Sequence, residues 1–208
     1  MPKRPAVSPS DVFINVPFDS QHERLFLALI AGLVALGLNP RCVLEVPPST
    51  DRLRRLYSLI RACPFSIHDL SQIQLSPGPF RVPRFNMPFE LGLAAAIAFE
   101  DGVTHQWRAL ERVPFRLNQS LSDIGGYDHS IHSGTIEGTM DVLLDIFGNA
   151  KSLSLSELDD LMWVYRRVRE FRATLRSSIY RANAFRKIVA TARLFAEARA
   201  IEAAADSD

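Results

Sequence analysis

A single carboxylate stands at the head of an otherwise apolar helix in this sequence. The stretch RFNMPFELGLAAAIAFE predicts a helix that begins near Asn86, with Glu90 in its first turn or so. Residues three positions away on either side, Met87 and Leu93, are apolar, so Glu90 does not belong to a polar face. The helix dipole alone favours an acid there by roughly 0.3–1 kcal/mol. If the carboxylate points into a cleft, partial loss of water raises its pKa and suits it to catalysis.

Further polar side chains follow the predicted strands. In open α/β sheets ligands bind outside the carboxyl ends of the strands, so we expect these groups to share one rim with Glu90. Asp19 and Asn86 also have a structural interpretation as helix N-caps, and Asp69 has one as a turn former. The candidate residues besides Glu90 are Phe18, Asp19, Ser20, Asp69, Ser71 and Asn86.

The order of the predicted elements indicates the fold that positions these groups. Short apolar runs in DVFINVPF, LNPRCVLEV and FSIHDLS predict three strands, and each is followed by a predicted helix; the first begins at Asp19 or Ser20 and the third carries Glu90. THQWRALER and HSIHS suit a fourth and a fifth strand, and a helix ending at Gly148 follows. This alternation predicts a parallel sheet with helices on both faces, flavodoxin-like or Rossmann-like. No GxGxxG motif follows the first strand, so we infer no dinucleotide fingerprint.

A change in composition near residue 150 predicts an α/β domain over residues 1–150 and a helical hairpin or cap over residues 151–208. Ser154 or Ser156, with Glu157 close by, indicates the start of one helix, and an Ala-rich helix is predicted from about Asn183 to Ala204. The apolar faces of these helices suit packing on the α/β domain, or a dimer or partner surface. Arginines on the opposite side suit a solvated face: Arg166, Arg169, Arg172 and Arg176.

Composition narrows the class of protein. The chain has 208 residues, is 47% hydrophobic and carries a formal net charge of +1, which favours one domain with an appendage and gives no support for nucleic-acid binding. Cys42 and Cys63 lie in apolar sequence, as reduced core cysteines of cytosolic proteins do. The start MPKRPAVSPSD has no signal-peptide pattern, and the apolar runs are shorter than the roughly 20 residues of a membrane span. We therefore expect a soluble, cytoplasmic protein without a membrane or nucleic-acid partner.

Three stretches resemble known families. NMPFELGLA resembles the helix start of the nucleoside 2-deoxyribosyltransferase-like group, in which a Glu followed by LG and a small residue is the catalytic carboxylate. TIR domains have a related flavodoxin-like layout and place a Glu at the head of the corresponding helix, where it serves NAD cleavage. DVFINVPFD is similar to the first strand and sugar-facing loop of these proteins, and FSIHDLS to the strand before the catalytic helix. The resemblance covers roughly residues 11 to 147 and implies a three-layer, flavodoxin-like sheet with a C-terminal helical extension.

The sequence departs from both families just before Glu90. The deoxyribosyltransferases usually show a D-x-G-T/V-x-x-E-x-G arrangement, which Asn86-Met87-Pro88 replaces here, and the Trp-Cys of TIR domains is absent. The resemblance therefore carries over Glu90 first and Asp69 second.

The resemblance implies cleavage of an N-glycosidic bond in a nucleotide or NAD, by hydrolysis or transfer, without a metal or other cofactor, and a role in antiphage defence. Glu90 would trap or stabilise an oxocarbenium-like sugar, and Asp69 would orient Glu90 or protonate the leaving base. Substrate would be bound by Phe18, Asp19, Ser20, Ser71 and Asn86. The alternative is a non-catalytic TIR-like module that senses a nucleotide. In either case the C-terminal helices would form a homo-oligomer or bind a protein partner.

Overall fold

The chain forms a parallel sheet and seven α-helices in the part that the computed structural model describes, namely residues 8–48, 50–72, 84–100, 102–124, 126–127, 129–148, 155 and 157–205. The strands are β1 (Asp11–Asn15), β2 (Asn39–Arg41), β3 (Phe65–Asp69), β4 (Gln106–Glu111) and β5 (Ser130–Ile131). The helices are α1 (Glu23–Ala35), α2 (Arg52–Ala62), α3 (Asn86–Ala98), α4 (Arg116–Ser120), α5 (Ile136–Phe147), α6 (Leu158–Thr174) and α7 (Ala182–Ala205).

The five strands are arranged in the order β2-β1-β3-β4-β5, which is the flavodoxin-like order. In the register between β1 and β3, Asn15 is opposite His68, and between β3 and β4, Asp69 is opposite Leu110. All five residues of β1 are buried, as expected for a strand of a parallel sheet. The predicted flavodoxin-like α/β fold with C-terminal helices is therefore confirmed.

The chain packs as two compact units. The sheet unit comprises the segment up to Pro17 and Arg41–Ser133, and the helical unit comprises Phe18–Pro40 and the chain from Gly134 onward. The predicted domain boundary near residue 150 falls outside the described residues. The division into residues 1–150 and 151–208 stays a prediction.

In the sheet unit, helices α2 and α3 pack side by side. The periodicity of α2 buries Leu56, Leu59 and Ile60 in one apolar cluster, together with Ala94 and Ile97 from the second half of α3. The first half of α3 contributes to a separate cluster of buried residues: Leu70, Met87, Leu91, Ala109 and Leu117. Helix α3 is therefore held by apolar contacts along its whole length, and these contacts surround the turn that carries Glu90.

In the helical unit, α1 is the central element, in contact with α5, α6 and α7. Its apolar residues are buried from Leu25 to Ala35, so the helix is apolar all round rather than amphipathic. Gly37 follows with a φ of 71°, the left-handed conformation that ends many helices and that glycine adopts without strain. Arg172 of α6 pairs with Glu23 of α1 at 2.8 Å, so this arginine of the predicted solvated stripe has an intramolecular partner.

Two predicted elements differ from the structure at their ends. The second strand stops at Arg41, because the carboxylate of Glu45 accepts the backbone N–H of Cys42 at 3.0 Å and the chain turns into a 3₁₀ helix at Val43. Helix α1 starts at Glu23 rather than near Asp19, because Oδ1 of Asp19 accepts from the backbone of residues 21 and 22 and closes a separate turn. The remaining described strands and helices lie within a few residues of their predicted positions.

Helix α7 has almost the bounds predicted for the last helix, and a break at residues 175–181 separates it from α6, so this region is a hairpin and not one bent helix. The proposed caps Ser154 and Ser156 lie outside the described residues. Among the helices that the structure describes, none combines the length and the apolar character needed to cross a membrane.

Candidate active site

Glu90 is the fifth residue of α3 and its side chain is buried, with 6% of the residue exposed. Phe85 precedes the helix as its N-cap, and Pro88 stands in the first turn, where a missing N–H costs no helical hydrogen bond. Met87 and Leu91, which flank Glu90 on the buried side of the helix, are also buried. Its Oε2 has no hydrogen-bond partner among the described residues. The carboxylate is therefore desolvated, and no ion pair with another described residue neutralises it.

Burial raises the pKa of Glu90 from 4.5 to about 7, and the positive charge of Arg52 opposes this rise only in part. At neutral pH the carboxyl group therefore interconverts readily between its acid and its anion. Cys42, at the end of β2, is electrostatically coupled to Glu90: burial is the main cause of the raised pKa of this thiol, and the negative charge of Glu90 adds to it.

A second polar cluster lies at the carboxyl end of β3, and it contains both Asp69 and Ser71. Oδ1 of Asp69 accepts the backbone N–H of Ser71 at 2.9 Å and lies 3.6 Å from Nε2 of His132. The same Nε2 is 2.8 Å from Oγ of Ser71. All three residues are buried, and Oδ2 of Asp69 has no hydrogen-bond partner in the described part of the chain. This oxygen can accept a hydrogen bond from a ligand.

Two neighbouring contacts fix this cluster in place. His132 follows β5 directly, and its backbone N–H donates to the carbonyl of Glu111 at 3.0 Å, which continues the pairing with β4. Arg116 donates to the carbonyl of Ser71 at 2.6 Å and to both carboxylate oxygens of Glu111. Glu111 is itself buried, so this bidentate pair ties the turn after β3 to the end of β4.

The structure describes no direct contact between the side chains of Glu90 and Asp69, which were predicted to act together. No hydrogen bond joins the two side chains within the described residues: Asp69 contacts Ser71 and His132, whereas the charge that acts on Glu90 is that of Arg52. Asn86, the first residue of α3, is exposed and does not act as the predicted N-cap, because the helix begins one residue earlier than that role requires. It is free to face solvent near the head of the helix.

Three further predicted residues belong to the helical unit. The ring of Phe18 stacks on Tyr180 at 5.0 Å, and the Tyr180 hydroxyl donates to the carbonyl of Asp19 at 2.6 Å. Asp19 also accepts from the ring of His22 at 2.9 Å, and Ser20 is exposed. These contacts give Phe18 and Asp19 a structural role within their own unit. Their predicted role in substrate binding stays a prediction.

Two residues of the sheet unit were missed as site residues. His132 lies in HSIHS, which predicts only a short strand, and Asn15 ends a strand whose other residues are typical of a core. A polar residue at the carboxyl end of a buried strand was the signal for Asn15. For His132 the signal is non-local, because its partners lie 61 and 63 positions earlier in the chain. No three His, Cys, Asp or Glu side chains converge as a metal site in the part of the chain described.

Comparison of the chain with protein-family models, curated proteins and solved structures finds no match. The fold and the site therefore define the class of this protein by themselves. It is a flavodoxin-like α/β protein with a buried carboxylate on the helix after the third strand, and no residue that the structure describes forms an ion pair with this carboxylate.

Proposed function

We propose that this protein is an N-glycoside hydrolase or transferase that acts on a nucleotide or NAD, with Glu90 as its catalytic carboxylate. One observation carries this proposal: Glu90 is buried without a hydrogen-bond partner on Oε2 among the described residues, and its pKa is raised to about 7. Perturbed carboxylates of this kind are concentrated at functional sites because they are costly to keep for structure alone.

The cost of Glu90 to the fold follows from its pKa. A rise from 4.5 to about 7 makes the ionised side chain roughly 3 kcal/mol less favourable in the folded protein than in the unfolded chain. A glutamine or leucine at position 90 would avoid this cost. Retention of such a group is expected where activity requires it.

In the proposed reaction, the bond between C1′ of the sugar and the nitrogen of the base breaks, and its electron pair leaves with the base. The Glu90 anion stabilises the developing oxocarbenium ion or traps it as a glycosyl ester. Water or an acceptor group then attacks C1′, any ester bond to Glu90 breaks and returns its electron pair to the carboxylate, and the proton lost by the attacking group passes to the departed base or to solvent. Because the anion is the reactive form, we expect kcat/KM to rise with pH through a midpoint near 7.

Asp69 and Ser71 are proposed to contact the substrate. Oδ2 of Asp69 is the buried oxygen that accepts no hydrogen bond from the described residues, and this supports a role in binding a hydroxyl or base N–H of the ligand. Exposed Asn86 at the head of α3 is proposed to bind phosphate or sugar beside the free N–H groups of the helix terminus.

The second candidate function is that of a nucleotide sensor without turnover. It is favoured by the separate contacts of Glu90 and Asp69, because an acid that is to protonate the leaving base needs to lie within reach of the same sugar as Glu90. A sensor requires only binding and places no such demand.

Association through the C-terminal helices is also proposed. Leu194 and Ile201 lie seven residues apart on α7, which places them on the same side of the helix, and they are 65% and 72% exposed. A homo-oligomer or a partner protein would cover them. A cytoplasmic location is proposed because both cysteines are free thiols and buried.

The deciding experiment incubates the protein with NAD and with deoxynucleotides and measures the free base released. Wild type should release base, and Glu90→Gln should reduce the rate at least about 100-fold. Glu170→Gln, which changes an exposed glutamate of α6, is the matched control and should keep full activity. If wild type turns over none of these substrates but binds a nucleotide tightly, the sensor is favoured. Equal turnover by wild type and Glu90→Gln would refute the catalytic role.

A further inference from the structure

Asn15, at the end of β1, joins two elements through a single amide group. Its Nδ2 lies 3.0 Å from Nδ1 of His68 in β3 and 3.1 Å from the carbonyl oxygen of Met87 in α3. Asn15 is only 3% exposed, so both hydrogens of this amide are used inside the protein. Met87 lies three residues before Glu90. The contact therefore ties the first turn of the helix that carries the carboxylate to the central strand of the sheet.

A chain of buried hydrogen bonds continues from His68 away from α3. Nε2 of His68 lies 2.9 Å from Oγ of Ser66, and this oxygen lies 3.0 Å from Nε2 of His105. Nδ1 of His105 lies 2.7 Å from the carbonyl oxygen of Cys63. Burial lowers the pKa of His68 to about 3 and also lowers the pKa of His105. Both imidazoles are therefore neutral at physiological pH, and each carries one ring proton.

Because both rings are neutral, the carbonyl of Cys63 determines which atom donates and which accepts in every hydrogen bond of this series. A carbonyl only accepts, so Nδ1 of His105 carries the proton and Nε2 of His105 accepts from the hydroxyl of Ser66. The oxygen of Ser66 then accepts from Nε2 of His68.

Nδ1 of His68 is left without a proton, so the residue opposite must donate to it. Asn15 meets this demand only with its amide nitrogen toward His68. The same orientation is the one that donates to the carbonyl of Met87. The carbonyl groups of Cys63 and Met87, at the two ends of this series of hydrogen bonds, thus independently require the same orientation of the Asn15 amide.

We propose that Asn15 is a positioning residue for Glu90, held by the hydrogen-bond chain through His68, Ser66 and His105 in the one amide orientation that binds Met87. This inference rests on the proposed function of Glu90 as the reactive carboxylate. If His68 took the other tautomer, Asn15 would turn its oxygen toward both His68 and Met87. Two carbonyl oxygens would then face each other, and the first turn of α3 would separate from β1.

The tautomers provide the first test. ¹⁵N chemical shifts of the imidazole nitrogens distinguish a ring protonated on Nε2 from one protonated on Nδ1. Between pH 7 and 8 we expect His68 to be neutral with its proton on Nε2, and His105 to be neutral with its proton on Nδ1. A His68 ring protonated on Nδ1, or a cationic one, in the folded protein would overturn the proposal.

The second test follows the ionisation of Glu90 by ¹³C NMR of its carboxyl carbon, assigned with Glu90→Gln. Asn15→Leu removes both hydrogen bonds at nearly constant volume. It should lower the midpoint of the Glu90 titration by about one pH unit or more, because water reaches a helix start that is no longer held. Ser66→Ala removes one oxygen from the middle of the chain and should move the midpoint in the same direction. Leu59→Ala, which opens the apolar cluster at the other end of α3, is the control and should leave the midpoint in place.

An unchanged Glu90 midpoint in folded Asn15→Leu would refute the positioning role. If Asn15→Leu does not fold, the milder Ser66→Ala decides in the same way. Both NMR readouts are independent of turnover, so they decide the role of Asn15 even if no substrate is cleaved. Where base release is observed, Asn15→Leu should lower kcat about tenfold or more and change KM little. Base release that depends on Glu90 but is insensitive to Asn15 would leave the proposed function standing and refute this inference alone.

Discussion

Replacement of Glu90 by glutamine should stabilise the protein, and the gain should depend on pH. The folded protein favours the neutral acid, because burial raises the pKa of Glu90 from 4.5 to about 7. The stabilising contribution of protonated Glu90 to the free energy of unfolding is therefore complete below pH 4.5 and is lost as the pH rises through 7. Glutamine has nearly the shape of the neutral acid and never ionises. The free-energy difference between the two proteins should be close to zero at low pH and grow toward alkaline pH.

The size of the effect follows from the difference between the two pKa values. A shift from 4.5 to about 7, at 1.36 kcal/mol for each pKa unit, gives roughly 3 kcal/mol at pH 8 and above. For a chain of this length, 1 kcal/mol corresponds to about 2–4 °C in Tm, so Glu90→Gln should melt roughly 6–12 °C above wild type at pH 8. About 2 kcal/mol of this difference should remain near pH 6, and less than 1 kcal/mol near pH 5.

The assay is urea unfolding followed by circular dichroism at pH 5, 6, 7 and 8, with wild type and variant compared at each pH. Other titrating groups affect both proteins alike and cancel in the difference. Glu170→Gln, at a side chain that is 67% exposed, should stay within about 0.5 kcal/mol of wild type throughout. A difference for Glu90→Gln that does not change with pH, or a loss of stability at pH 8, would show that the carboxylate is solvated or ion-paired and would refute the reasoning.

Three further predictions concern the scaffold. Arg116→Met should lower the free energy of unfolding in urea by about 3–5 kcal/mol, because buried Glu111 loses its bidentate partner. Adding the second substitution Glu111→Leu should recover much of this loss. If the double variant is as unstable as the single one, the loss of this ion pair is not the cause. Gly37→Ala should cost about 1 kcal/mol, since a φ of 71° strains any residue with a Cβ, and an unchanged unfolding midpoint would contradict that conformation. Cys42 and Cys63 should react with a thiol reagent only as fast as the protein unfolds, because burial raises the pKa of both thiols, that of Cys63 to about 12; rapid labelling of the native protein would contradict their burial.

The sequence was informative wherever the governing interactions are local. Alternating apolar strands and helices require a parallel sheet, because only crossover connections through helices join strands in that direction. The raised pKa of Glu90 was likewise predictable, since the apolar neighbours that desolvate it are within one helical turn. Predictions at element ends were weaker: Asp19 closes a turn of its own and Glu45 ends β2, and both are choices between competing hydrogen bonds of similar strength.

The partners of the polar side chains were decided only by the tertiary structure. His132 meets Asp69 because β3 and β5 end at the same edge of the sheet with β4 between them, which no local pattern reveals. Asn15 contacts Met87, which lies 72 positions later in the sequence. The orientation of the Asn15 amide depends on the hydrogen bond that His105 donates to the carbonyl of Cys63, a residue outside both β1 and α3. Local sequence determines which backbone conformations are favourable and which faces are apolar. The pairing of buried polar groups depends on strand order and register, which the packing of the whole chain selects.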